Sequence, residues 1–183
     1  MWGKRLQLLS EVARPRLTNA RFLFTSTANL WEAIAAQVRE AAQQAGTLIA
    51  PALLGKSIDQ AAYRQVFDQM GRDGVGLIVF DAAEHLTNRQ LIVDLAAKHR
   101  LPVIYPFRDF VEIGGLLSYG IDTADMMQRL ADMTGDVLRG TKPREIPFYQ
   151  QTKFELLLNR ATARSLGLDF PASLLAVADE VIE

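Results

Sequence analysis

The chain of 183 residues contains no cysteine, which excludes disulfides, thiolate nucleophiles and cysteine zinc sites. Its two histidines, His85 and His99, lack the spacing of metal ligands, so a structural or solvent-facing role is expected for each. There is no P-loop, no G-x-S-x-G nucleophile elbow and no G-x-G-x-x-G motif. These absences argue against an enzyme, and we expect neither a metal nor a cofactor.

Long apolar runs and charge of one sign are also scarce. No apolar stretch is long enough to span a membrane, and the residues after the basic start of the chain turn polar before a secretory signal can form. Lysine and arginine number 20, aspartate and glutamate 21, and the net charge is -1. We therefore expect no binding to nucleic acid and no membrane insertion. Hydrophobic residues make up 49%, enough for a core.

Strand-like and helix-like patterns alternate over the first 105 residues. Strands are predicted at 20–24, 47–54, 75–80 and 103–105, and helices at 3–13, 30–45, 57–70 and 86–99. Arg14 and Pro15 close the first helix, Ser57 and Gln60 have capping-box spacing, and residues 71–74 form a turn. Alternation of this kind predicts an α/β fold, a Rossmann-like parallel sheet with helices on both faces.

The alternation changes after Tyr105. We expect a short helix at 108–113, a strand at 115–119, a helix capped by Asp122 that runs to 138, a strand at 153–158, a short helix at 162–166 and a last helix at 171–181. This tail of helices and strands is predicted to be less able to fold by itself than the first half. We therefore place a boundary near Gly114, between an α/β lobe (residues 1–113) and a tail (residues 114–183).

Polar and aromatic residues follow three of the predicted strands. In an open parallel sheet, ligands bind beyond the carboxyl ends of the strands. Hydroxyls, an amide, carboxylates, an aromatic ring and a guanidinium suit a polar or zwitterionic organic ligand with an apolar part. The candidate contacts are Thr25, Ser26, Thr27 and Asn29 after the first strand, Asp81 and Glu84 after the third, and Phe107 and Arg108 after the fourth.

Each of these groups also has a structural interpretation. The segment from Thr25 to Asn29 could be only a loop and a helix N-cap, and Asp81 could cap the next helix. Arg108 could pair with Asp109 at the surface instead of holding a ligand carboxylate. The methionines of the tail fit packing better than a binding role.

The segment LAAKHRLPVIYPFRDFVEIGGLLSYG, residues 95–120, resembles a signature segment of bacterial ABC-transporter substrate-binding proteins related to the tryptophan- and tyrosine-binding components. GKRLQLLSE at 3–11 and the stretches 151–159 and 166–183 are similar to other parts of the same family, so the resemblance covers nearly the whole chain. It implies a type I periplasmic-binding-protein fold, in which two α/β lobes hold a ligand in the cleft between them.

The resemblance also implies what the candidate residues do. Family ligands are amino acids or similar small organic molecules. The loop from Thr25 to Asn29 then holds a carboxylate or hydroxyl, Asp81 pairs with an ammonium group, and Phe107 with Arg108 lies near the cleft. Ser118 and Tyr119 join the contact set, because they match the place where the family's chain returns toward the hinge.

Relative to the family pattern, this chain begins at the helix that joins the lobes. The resemblance therefore implies one lobe and the tail of a truncated solute-binding component, without the N-terminal lobe on which the tail packs. We expect ligand binding without catalysis and a homodimer that covers the tail's apolar face. A transporter permease is an expected partner if the chain is part of a full-length protein.

Two expectations stay open at this point. The location is periplasmic by resemblance, but cytoplasmic if Met1 is the true start. The alternative function is an effector-binding or sensory domain of a regulatory system with an unknown ligand, although no helix-turn-helix or basic arm is evident.

Overall fold

The structure, a computed structural model, describes residues 1–13, 17–25, 28–55, 57–70 and 75–183, except for the side chains of residues 28–30. The predicted Arg14–Pro15 helix end and the turn at 71–74 lie outside the described residues. The helices are α1 (Trp2–Ala13), α2 (Ala28–Gln44), α3 (Gln60–Gln69), α4 (Ala83–Thr87), α5 (Arg89–His99), α6 (Arg108–Glu112), α7 (Thr123–Leu138), α8 (Arg160–Leu166) and α9 (Ala172–Leu175), with a 3₁₀ turn at Pro143–Glu145. The strands are β1 (Asn19–Phe24), β2 (Leu48–Leu53), β3 (Val75–Val79), β4 (Val103–Tyr105), β5 (Leu117–Ile121), β6 (Phe154–Asn159) and β7 (Glu180–Ile182).

The seven strands form one sheet in the order β2-β1-β3-β4-β5-β6-β7. The first five are parallel to one another, β6 is antiparallel to β5, and β7 is parallel to β6. All five residues of β3 are buried, as the fully apolar sequence of this strand predicts. The predicted α/β fold with a Rossmann-like sheet is confirmed.

Helices cover both faces of the sheet, and each face has its own core. On one face, residues of α1 and α2 pack on the sheet together with residues of α8 and α9. On the other face, residues of α3, α5 and α6 surround Leu23, Leu77 and Val103. The helix that follows β1 therefore lies on one face of the sheet, whereas the helices before and after β3 lie on the other face. This arrangement creates a topological switch point between β1 and β3.

Three local predictions are wrong, and a short-range hydrogen bond gives the reason for two of them. The helix predicted from Ser57 begins at Gln60, since Asp59 caps it by accepting from the amide of Ala62 at 2.8 Å. The segment 81–85, expected as a loop, enters α4 at Ala83. The helix predicted at 86–99 is divided at Asn88, whose side chain donates to the Glu84 carbonyl at 2.8 Å.

The expected last helix from 171 to 181 is also wrong. It ends at Leu175, and the chain then forms β7 alongside β6. Asp179 aligns the two strands, since its carboxylate accepts from the Leu156 amide at 2.7 Å and its own amide donates to the Leu156 carbonyl at 2.9 Å. The β-branched residues Val181 and Ile182 favour the extended conformation that this pairing needs.

The two edges of the sheet differ in character. The β2 edge has six residues, with Leu48 74% exposed and Pro51 in its middle. The β7 edge has three residues. The sheet runs on past Gly114 into β5, so the proposed division of the chain at that residue does not divide the sheet.

Helix α7 and the segment that follows it lie apart from both cores. Asp122 caps α7 by accepting from the Asp125 amide at 2.9 Å, as predicted. None of the 16 residues of α7 is buried. Phe148, in the connector after the 3₁₀ turn, is 98% exposed. No helix among the described residues has the length and apolar character that a membrane crossing requires.

Candidate ligand-binding site

The carboxyl ends of β1 and β3 lie side by side at the switch point. Phe80 follows β3, and its amide donates to the Leu23 carbonyl of β1 at 3.1 Å. Thr25 follows β1 and is half-buried. Ser26 and Thr27 and the side chain of Asn29 lie outside the described residues. The predicted loops after β1 and β3 therefore belong to the same edge of the sheet.

Asp81 forms an ion pair with Arg5, a residue that the sequence analysis missed. Both terminal nitrogens of the guanidinium donate to the Asp81 carboxylate, and its Nε donates to the Tyr119 carbonyl of β5 at 2.7 Å. The Arg5 side chain is fully buried, whereas that of Asp81 is 30% exposed. Arg5 thus connects α1, the loop after β3 and strand β5 at one point.

Aromatic rings surround this ion pair. The Trp2 ring lies 5.3 Å from the Arg5 guanidinium and stacks on Phe80 at 5.5 Å. Phe80 in turn stacks on Phe24 at 4.6 Å. Trp2 and Phe80 are only partly buried, so the edge offers apolar ring surface next to the Asp81 carboxylate.

His85 was also not among the predicted site residues. Its hydrogen bonds hold the segment after β3 in place. Its Nε2 lies 3.3 Å from the Leu23 carbonyl, and its Nδ1 lies 2.8 Å from the Tyr63 hydroxyl. Because a carbonyl only accepts, Nε2 carries the proton and Nδ1 accepts from Tyr63. Burial lowers the pKa of His85 to about 4 and raises that of Tyr63 to about 12. A neutral histidine therefore links α3, α4 and β1, in agreement with the structural role expected for it.

Two other predicted contacts, Glu84 and Arg108, take no part in the ion pair of Arg5 and Asp81. Glu84 is exposed on α4. Arg108 donates to Glu112 at 2.7 Å, to Glu155 at 3.1 Å and to Glu180 at 2.8 Å, and not to its neighbour Asp109. These hydrogen bonds raise the pKa of Arg108, and burial raises the pKa of Glu155.

Phe107, Ser118 and Tyr119 contribute to packing. Phe107 precedes α6 and packs against the core beside α5. The Ser118 side chain is 1% exposed, and its hydroxyl has no hydrogen-bond partner in the described part of the chain. Tyr119 stacks on Phe154 of the neighbouring strand at 5.7 Å. Their ligand contacts stay predictions.

Gly120 allows β5 to pass close to the loop after β4. A Cβ atom at this position would lie 1.8 Å from the Pro106 carbonyl oxygen, a distance that no side chain tolerates. The approach places the Tyr119 carbonyl where Arg5 reaches it. A glycine with no Cβ is therefore part of the geometry of this edge.

The edge offers several groups that bind charged and apolar parts of a ligand. An ion pair, exposed ring surface and the start of α2 could hold a zwitterion. Among the described residues, no group of three His, Asp or Glu side chains is placed to hold a metal ion.

Three solved structures are similar in fold. One is an ABC domain in complex with L-Trp from Streptococcus pneumonia, with a TM-score of 0.82 and 20% identity, covering 99% of this chain and 60% of that one. A conserved domain protein from Vibrio cholerae has a TM-score of 0.80 and 19% identity, covering 98% and 60%. A substrate binding protein with adhesive properties from Clostridium difficile, in its ligand-free, open form, has a TM-score of 0.66 and 17% identity, covering 98% and 59%.

This chain thus spans about 60% of the length of the first two of these proteins. A comparison with curated proteins found no match. The sequence model of the ABC transporter substrate binding protein family matches residues 3–182. It confirms the resemblance inferred from residues 95–120, and the chain belongs to this family.

Proposed function

We propose that the protein binds a small amino-acid-like or other polar organic ligand at the switch point, without catalysis, as a solute-binding component of an ABC transporter. The observation that carries this proposal is the Arg5–Asp81 ion pair beside the partly exposed rings of Trp2 and Phe80. Membership of a substrate-binding family supports it.

Each part of a zwitterionic ligand has a partner in this arrangement. Thr25, Ser26, Thr27 and Asn29, with the first turn of α2, hold the carboxylate at the positive end of the helix dipole. Asp81 accepts from the ammonium group, because a carboxylate bound to one guanidinium keeps acceptor capacity. Trp2 and Phe80 contact the apolar part. Glu84, Phe107, Arg108, Ser118 and Tyr119 complete the proposed contact set.

Titration calorimetry with a panel of amino acids tests the proposal, and L-tryptophan comes first because a structurally similar protein was solved with it. We expect one panel member to bind, and Asp81→Asn to weaken its binding roughly tenfold or more through loss of a charge-assisted hydrogen bond. Asp94→Asn, at an exposed position on α5, is the matched control. Absence of binding by the whole panel, or unchanged affinity in Asp81→Asn, would contradict the proposal.

The proposed partner in solution is a second copy of the chain, docked on α7. In this helix Met127, Leu130, Val137 and Leu138 are 57%, 56%, 40% and 83% exposed. Leu130 and Val137, together with Phe148, line a groove of about 590 Å³ between α7 and the connector. Monomers rarely expose a continuous apolar surface of this kind, and a two-fold axis would bury both copies at once.

Sedimentation at micromolar protein tests the dimer. Leu130→Arg is expected to give a monomer, since it places a charge in the apolar contact. Val177→Arg is the control, because Val177 is 66% exposed outside this helix. A wild-type monomer at that concentration argues against the dimer.

The remaining proposals follow from family membership. Residues 1–113 act as a ligand-binding lobe and residues 114–183 as a crossover tail. The protein works outside the cytoplasm and delivers its ligand to a membrane permease. Pull-down by the permease of a neighbouring transporter operon, with and without ligand, tests that partnership.

A further inference from the structure

A small cavity lies outside the proposed ligand-binding site. It has a volume of about 180 Å³ and lies between α5 and α8, beside the turn at Gly114 that leads into β5. Its lining residues include none of the ten predicted ligand contacts. An apolar cavity of about 150 Å³ can hold benzene, so this one has room for a single small ring.

The walls of the cavity are apolar, and its polar groups are few. Val93, Ala96, Leu101, Leu116 and Leu166 supply the apolar surface. No acidic residue is among the lining residues. A ligand that fits these walls carries an apolar body, and any charge that it has is negative.

Tyr105 supplies a donor that nothing else in the described part of the chain uses. It lines the cavity and is 1% exposed, and its ring is held by stacking on Phe110 at 4.8 Å. No described residue hydrogen-bonds its hydroxyl. A hydroxyl that lines a cavity and has no described protein partner can donate to a ligand oxygen in that cavity.

Arg100 supplies the cation. It ends α5 and reaches across to α8, where its Nη2 donates to the Ser165 carbonyl at 3.1 Å. Among the described residues no ion pair joins it to a carboxylate, and most of its five N–H groups stay available. Its φ of 53° is a left-handed conformation, held here by a non-glycine residue.

We propose that this cavity is a second binding site, for a small organic carboxylate with an apolar body of one ring. The carboxylate lies between Arg100 and the Tyr105 hydroxyl, and the ring contacts Val93, Leu101 and Leu116. The hydroxyl of Thr162 is already committed, since it donates to the Gly114 carbonyl at 2.8 Å, and it holds one wall in place.

Benzoate is the probe, with toluene as the uncharged control of similar size. In an amide-resolved NMR titration of the whole chain, benzoate up to about 10 mM should shift Gly114, Leu116 and Thr162 saturably, with a dissociation constant of about 1 mM or tighter. Toluene should bind at least about fivefold more weakly, since it cannot use either polar group.

Two variants separate binding from folding. Tyr105→Phe keeps the stacked ring and removes only the hydroxyl, and it should weaken benzoate roughly tenfold. Arg100→Gly removes the guanidinium at a backbone position that glycine prefers. The variant should therefore be as stable as the wild type or more stable. Its binding of benzoate should fall roughly tenfold.

Either variant alone decides the question if the other folds poorly. The proposal is overturned if benzoate causes no saturable shift around Gly114, or if a folded variant binds benzoate as tightly as the wild type. Equal affinity for toluene and benzoate also overturns it, because the carboxylate would then have no role.

Discussion

Helices α2 and α7 carry apolar residues at the same spacing but have opposite surroundings. In α2, Trp31, Ala35, Val38 and Ala42 are 6%, 5%, 1% and 2% exposed and pack on the sheet. In α7, the residues at equivalent intervals are Met126, Leu130, Met133 and Val137, and none is buried. The spacing that predicts an amphipathic helix thus identifies the apolar face, whereas the rest of the fold decides whether that face is covered.

The largest expected effect is on α2. Trp31→Ala should lower the free energy of unfolding by about 4 kcal/mol, because it removes a buried indole from the contact with Phe24, 5.7 Å away, and leaves a cavity. Chemical denaturation followed by circular dichroism measures the loss. The corresponding change in α7, Met126→Ala, should cost less than about 1 kcal/mol at a dilution where the chain is monomeric.

The two valines at equivalent positions give a chemically matched control. Val38→Ala should cost about 2 kcal/mol, and Val137→Ala less than about 0.5 kcal/mol, because Val137 is 40% exposed. Equal losses at the two positions would mean that α7 is covered in the monomer, and the comparison between the helices would fail.

The next prediction concerns the pH dependence of stability, which we attribute to the buried side chain of His85. The folded-state pKa of His85 is about 4, below its usual value of 6.5, because burial disfavours the imidazolium. Between these values the unfolded chain binds more protons than the folded chain, so stability falls as the pH is lowered from about 6.5 to about 4, by about 3 kcal/mol in total. Urea midpoints across this range measure the slope.

His85→Gln removes the titrating group and keeps polar atoms near Tyr63 and Leu23. It should flatten the part of the pH dependence that lies above the titration range of the carboxylates. An unchanged slope in this variant would assign the acid sensitivity to other groups.

The last comparison is between two glycines, one at the candidate site and one in α7. Gly120→Ala should cost about 2 kcal/mol, because the new Cβ would meet the Pro106 carbonyl at 1.8 Å and the backbone must shift. Gly135→Ala in α7 should stabilise the chain by about 0.5 kcal/mol, since its new Cβ meets only the movable end of Arg139, at 3.3 Å. Thermal unfolding of both variants shows whether the signs differ as expected.

Much of the fold could be predicted from the sequence because local patterns decide it. Strand β3 is apolar throughout, and Asp122 stands directly before an amphipathic run, so both elements follow from short-range rules. Strand β7 could not be predicted in this way, because Glu180–Ile182 is extended through pairing with a strand more than twenty residues earlier.

The candidate site was predicted only in part for the same reason. Asp81 follows a recognisable strand, but its partner Arg5 lies 76 residues earlier on a helix. The available signal in the sequence was an arginine, Arg5, close to Leu6 and Leu9 in an apolar helix. A charged residue on a buried face needs a partner of opposite charge, and that rule would have directed attention to it.

The two edges of the sheet have a consequence for how the chain can aggregate. An open edge is a template for another strand, yet the β2 edge is interrupted by Pro51, which has no amide hydrogen, and the β7 edge offers only three residues. Extension of the sheet from molecule to molecule is therefore disfavoured at both ends. Conditions that expose more apolar surface should then yield soluble clusters joined through α7 before they yield β-rich fibrils.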